Sequence, residues 1–136
     1  MSHPNVEFMR EYFSAWMTGD LDTVRASFND DLEVHLAGKS SFAGVYRGID
    51  NFFNDYVQRV YALTKGNAQV VRIKDILAND ERAVVLAEER FERPGKVLDV
   101  NRFLIYEIRA GKISQIWEFE DDLHAVDEFF EDDPGK

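Results

Sequence analysis

The sequence predicts an α+β fold in which a cone-shaped, curved, mostly antiparallel β-sheet wraps around N-terminal helices. Three observations carry that expectation. Apolar residues recur at helical spacing through most of the first half of the chain. The second half changes to β-branched and aromatic runs separated by short turn signals. The two patterns are segregated rather than alternating, which favours helices on one face of an antiparallel sheet over a parallel βαβ arrangement. A sheet curled around a long helix leaves a concavity whose mouth can hold a small molecule.

Each element follows from its pattern. From Asn5 to Met17 the residues Val6, Phe8, Met9, Tyr12, Phe13 and Trp16 recur at spacings of three and four, a first helix. Gly19 can end it and Asp20 can cap a second, shorter helix carrying Leu21, Val24 and Phe28. Asn29, Asp30 and Asp31 read as a turn. Leu32, Val34 and Leu36 then alternate with Glu33 and His35 as in a half-buried strand. The stretch HLAGKSSFAGVYRG reads as a glycine-rich loop, after which Asp50 can cap a third helix with Phe52, Phe53, Tyr56, Val57, Val60, Tyr61 and Leu63. Residues 69–78, 81–93, 97–109 and 112–121 read as four strands joined by hairpins. Leu123, Val126, Phe129 and Phe130 suggest a short amphipathic helix, and 131–136 a frayed tail. The expectation is one domain over 1–136 with its core at about 5–130.

Composition removes several function classes. A formal charge of −10 with scattered Lys and Arg argues against nucleic acid and against an anionic membrane surface. No apolar run approaches the roughly 20 residues that span a bilayer, and the polar start lacks the apolar core of a secretion signal, so the expected location is cytoplasmic. The absence of cysteine excludes disulfides and thiol nucleophiles. His3, His35 and His124 are too far apart for a zinc pair, and no metal and no cofactor are expected. The glycines around Gly38, Gly44 and Gly48 lack the GxxxxGK[ST] pattern of a phosphate loop.

The order YFSAWMTGDLDTVRASFNDDLEVHLAGKSSFAGVYRGIDNFFNDY, followed later by FLIYEIRAGKISQIWEFEDDLHAVDEFF, resembles the SnoaL-like branch of the nuclear transport factor 2-like superfamily. The superfamily includes ketosteroid isomerase, scytalone dehydratase, limonene epoxide hydrolase and polyketide cyclases. The resemblance covers about Asn5 to Phe130 and implies a cystatin-like α+β barrel with the glycine-rich loop at the mouth of the cone.

The same resemblance supplies candidate residues. Tyr12 falls where the isomerases keep their oxyanion tyrosine, but Leu36 and Leu104 stand where they keep acids, so Δ5-steroid isomerisation by that machinery is excluded. Alternation puts Arg102, Leu104 and Tyr106 on one face, which the comparison turns toward the cavity, with Trp16, Leu36 and Phe53 completing the substrate wall. Glu118 matches a catalytic glutamate of phenazine-biosynthesis relatives. Asp121 completes the polyketide-cyclase pattern GKIxxxWxxxD, and the two cannot both point inward on a regular strand. His35 is a candidate assisting base if the strand end twists it inward.

Three functions stay open. One is a cofactor-independent acid/base enzyme of isomerase, cyclase, dehydratase or hydrolase type, acting on a small apolar or amphipathic molecule. Another is a non-catalytic ligand-binding domain. The third is an interaction domain working through the outer sheet face of Phe103, Ile105, Trp117 and Phe119, a face that a homodimer would also cover.

Overall fold

Helix α1 (Pro4–Thr18) starts where His3 Nδ1 accepts a hydrogen bond from the Asn5 backbone N–H at 3.0 Å and Pro4 fills the first turn, a position that needs no N–H. It stops at Gly19, which takes the left-handed conformation at φ 77°. Asp20 then caps α2 (Leu21–Ala26) through the Thr23 backbone N–H. These details come from a computed structural model, which describes residues 3–131.

Among the described residues six strands follow: β1 (Phe28–Leu36), β2 (Gly44–Arg47), β3 (Ala68–Ala78), β4 (Arg82–Arg93), β5 (Lys96–Arg109) and β6 (Lys112–Glu120). They form one sheet in the order β2-β1-β6-β5-β4-β3. Every neighbouring pair is antiparallel except β1 and β6, which run parallel. The third helix (49–64) lies between β2 and β3, and the C-terminal helix (Leu123–Glu131) follows β6. Among the described residues, no helix is long and apolar enough to cross a membrane.

The α+β expectation holds, with local corrections. Phe28 opens β1 rather than closing α2, and the expected turn at 29–31 lies inside that strand, where its register against β6 shifts. Leu21 is exposed rather than part of a buried stripe. The expected loop contains β2, whose four residues are mostly exposed and carry no apolar alternation. The third helix is capped by Gly48 at φ 88° with no side-chain bond, while Asp50 pairs instead with Arg25 at 3.0 Å. Glu131 belongs to the C-terminal helix, and the rest of the expected tail, 132–136, lies outside the described residues.

The core sits between the helices and the inner sheet face. Met9, Tyr12 and Phe13 of α1 pack with Val85, Ala87, Leu104, Tyr106 and Ile116 of the sheet, all buried. Full burial of a Leu- or Phe-sized side chain stabilises by about 1.5–3 kcal/mol. The fold therefore tolerates polar groups on this face only where other forces hold them.

Candidate active site

A cavity of about 300 Å³ opens between α1, the third helix and the inner faces of β3 to β6. Helix α1 contributes Tyr12, Phe13 and Trp16, residues that its period brings to one face. The third helix contributes Phe52, Tyr56 and Val57 from a π-helical stretch, Phe52–Val57, whose wider turn buries four of its six residues. The sheet contributes Glu89 and Phe91 from β4, Arg102, Leu104 and Tyr106 from β5, and Ile116 and Glu118 from β6.

Arg102 is the centre of the polar wall. In the β5–β6 register it lies opposite Glu120, with Glu118 opposite Leu104, two residues along the same face. In the β4–β5 register it lies opposite Ala87, two residues from Glu89. Alternation thus aims three carboxylates from two strands at one guanidinium. Its Nη1 donates to Glu89 Oε1 at 3.2 Å and to Glu118 Oε1 at 3.3 Å. Its Nε lies 3.1 Å from Glu120 Oε2, an ion pair whose geometry falls short of a hydrogen bond. The guanidinium carbon also lies 5.1 Å from the centre of the Phe91 ring.

Crowding sets the proton affinities. Burial raises the Glu118 carboxyl to about 7, with Arg102 pulling it down and Glu89 and Glu120 pushing it further up. Burial also raises Glu89 and Glu120 against the pull of Arg102. For Arg102 burial disfavours the charge, but the surrounding carboxylates outweigh it and hold the group well above its ordinary value. Glu118 Oε2 is buried without a hydrogen-bond partner. An isolated buried oxygen of this kind costs about 1–3 kcal/mol unless a proton donor meets it.

Tyr12 and Tyr106 face each other edge-on, with ring centroids 5.6 Å apart. Burial raises both hydroxyls above their usual range, so both remain protonated donors at neutral pH. A raised carboxyl, a fixed cation and two neutral phenols therefore border one aromatic cavity.

The candidate residues divide accordingly. The structure brings Tyr12, Trp16, Arg102, Leu104, Tyr106 and Glu118 to the cavity. Phe53 stands behind the wall, stacked on Trp16 at 5.9 Å and covered by the Arg25 guanidinium. Leu36 borders a separate hollow of about 20 Å³ that reaches Arg102, Glu118 and Tyr56 from the side of residues 37–43. Asp121 is not at the cavity. The register from 115 to 120 is regular, so no bulge swings Asp121 inward, and it instead accepts from the Asn101 backbone N–H and Nδ2. His35 is not there either: it stacks on Trp117 at 5.0 Å on the outer face, with Nε2 2.7 Å from Gln115 Oε1. Glu89, which lines the cavity, and Glu120, which reaches Arg102 from the separate hollow, are not among the sequence candidates, because nothing in the spacing of EERFER or EFEDD marks either glutamate as inward. Pairing register was the signal that could have found them. Among the described residues there is no cluster of three His, Cys, Asp or Glu suited to a metal.

Comparison with known proteins agrees with this architecture. Residues 9–116 match the SnoaL-like domain family. The uncharacterized protein Rv0034 of Mycobacterium tuberculosis is 30% identical over 127 residues, 93% of this chain and 95% of the relative. Among solved structures, Bal32a from a soil-derived mobile gene cassette is 30% identical with a TM-score of 0.86, covering 93% of this chain and 95% of that one. A protein with a cystatin-like fold from Xanthomonas campestris aligns with a TM-score of 0.85 at 22% identity, covering 92% and 96%. By its helices, its curved sheet and this match over most of its length, the chain belongs to the SnoaL-like domain family.

Proposed function

We propose that the protein is a cofactor-independent acid/base enzyme acting on a small, largely apolar molecule in the cavity, with Glu118 as the proton-transferring group. The observation that carries this reading is the state of Glu118. It is buried in the cavity wall, has one carboxylate oxygen without a partner, and titrates at about 7, where donor and acceptor forms are both populated at neutral pH.

The chemistry follows from the neighbours. Glu118 takes a proton from carbon or oxygen of the substrate and returns it elsewhere on the same molecule or to a leaving group. Tyr12 and Tyr106 donate hydrogen bonds to the oxygen on which negative charge develops. Arg102 holds Glu118 in place and keeps the carboxylate form accessible in an apolar wall. Isomerisation, cyclisation, dehydration and hydrolysis all draw on this set.

One observation favours a ligand-binding domain without turnover: Arg102 already pairs with Glu118 at 3.3 Å, as a structural ion pair would. A native mass spectrum of protein purified from its own host, followed by incubation of any retained molecule in D2O, separates the two. The enzyme reading expects deuterium incorporation or conversion by the wild type, slowed at least about a hundredfold in Glu118→Gln. A retained molecule that the wild type leaves unexchanged and unconverted supports the binding domain and ends the enzyme reading.

A further inference from the structure

The charge of the cavity wall narrows the class of ligand. Glu89, Glu118 and Glu120 crowd a single guanidinium, and their side chains are 11%, 13% and 4% exposed, against 6% for Arg102. Ionised together, three carboxylates and one cation leave two negative charges uncompensated, in a place where water does little to screen them. One proton on the cluster still leaves an excess.

An anionic ligand would add to that excess. Arg102 is the only cation among the described residues lining the cavity, and its groups already face Glu89, Glu118, Glu120 and the Phe91 ring. The remaining wall is largely aromatic, with Tyr12, Trp16, Phe52, Tyr56 and Tyr106 exposing rings that attract cations. The unpartnered oxygen of Glu118 lacks a proton donor.

We propose that the cavity takes a molecule bearing a protonated amine beside an aromatic or otherwise apolar skeleton, the ammonium docking on Glu118 and Glu89 while the skeleton lies among the rings. An ammonium N–H supplies the missing donor and removes one uncompensated charge in a single contact. The inference rests on the cavity being a ligand site and deepens that reading by assigning the ligand's charge.

Proton release should accompany binding. The titratable and charged groups around Glu118 are Glu89, Glu120, Arg102, Tyr12, Tyr46, Tyr56 and Tyr106, with Asp121 and Asp127 acting on Glu120 from outside. The tyrosines stay neutral and Arg102 stays charged, so the proton displaced by an incoming cation comes from the carboxylates.

Three probes with one skeleton test this: 2-naphthylmethylamine, 2-naphthylmethanol and 2-naphthoate, titrated calorimetrically near pH 7 in phosphate and in Tris. The expected result is an amine bound at least about tenfold more tightly than the alcohol, with heats that differ between buffers by the ionisation heat of released protons, and no detectable binding of the carboxylate. Glu118→Gln, and separately Glu89→Gln, should each weaken the amine about tenfold and leave the alcohol nearly unchanged. An alcohol that binds as well as the amine, or an amine bound without proton release, overturns the proposal. In that outcome the acid/base reading stands if the bound alcohol still shifts the titration of Glu118. If none of the probes binds, the ligand-site reading falls together with the amine.

Discussion

The raised carboxyl of Glu118 makes stability depend on pH in a direction opposite to ordinary acid denaturation. A glutamate titrating at about 7 in the folded chain and near 4.5 when unfolded binds its proton more tightly in the native state. Its contribution is therefore fully present below about 4.5 and is lost as pH rises through 7. Each pKa unit corresponds to about 1.4 kcal/mol, so the full effect is roughly 3 kcal/mol above pH 8. Glu118→Gln keeps the shape and mimics the protonated form. Glu89 and Glu120 then lose a charged neighbour, which pushes the difference in the same direction. Urea unfolding followed by tryptophan fluorescence, at pH values from 5 to 9, should show the variant gaining on the wild type as pH rises. Other carboxylates titrate equally in both proteins and cancel in the difference. A stability difference that stays flat across that range would refute the burial argument, and with it the main support for Glu118 as the proton-transferring group.

Further expectations concern single residues. Arg102→Met leaves three buried carboxylates without their cation and should destabilise by about 3–5 kcal/mol at neutral pH, with partial recovery at pH 5, seen as a melting-temperature series. Ala110 adopts φ 53° beside Gly111 at φ 75° in the β5–β6 hairpin, a turn that prefers Asn first. Ala110→Asn should raise stability by about 0.5–1 kcal/mol in denaturant titration, and a loss would contradict the turn assignment. Asp127 accepts from the Lys39 and Ser40 backbone N–H groups at 2.9 and 3.1 Å, and a Cβ on Gly38 would come within 2.5 Å of its Oδ1. Gly38→Ala and Asp127→Ala should therefore both speed amide exchange in residues 37–43, and unchanged protection would show that this loop is held by other contacts. We also propose a homodimer through the outer sheet face, where Phe103 and Phe119 are 38% and 45% exposed beside the His35–Trp117 stack. Phe119→Lys should shift sedimentation from dimer to monomer, and a wild type already monomeric at micromolar concentration would dispose of the idea.

How far the sequence could be read depended on whether the signal was periodic. The helices and the long strands announce themselves through spacing, because burying an apolar face requires it. Strand β2 has no such face: Gly44, Val45 and Arg47 are exposed, and its place follows only from pairing with β1. The site divides the same way. Tyr12, Arg102, Tyr106 and Glu118 reach the cavity by alternation and helical period, which are local properties. Glu89 and Glu120 reach Arg102 because particular strands pair in particular registers, a long-range fact that a run such as EERFER conceals. Asp121 was drawn in by a motif, yet the strand ends one residue before it and Asn101 ties it to the outside.

The parallel pairing of β1 with β6 also has a consequence for synthesis. Residues 28–36 wait for residues 112–120 before their strand has its main neighbour. While the chain is still emerging from the ribosome, β1 and β2 can form only a two-stranded hairpin, which is marginal alone. The cavity wall that needs Glu118 does not yet exist at that stage. Assembly of the cavity wall therefore waits until β6 has been made, and a chain cut short before β6 should be recognised by the cell as unfolded rather than as a weakened version of the protein.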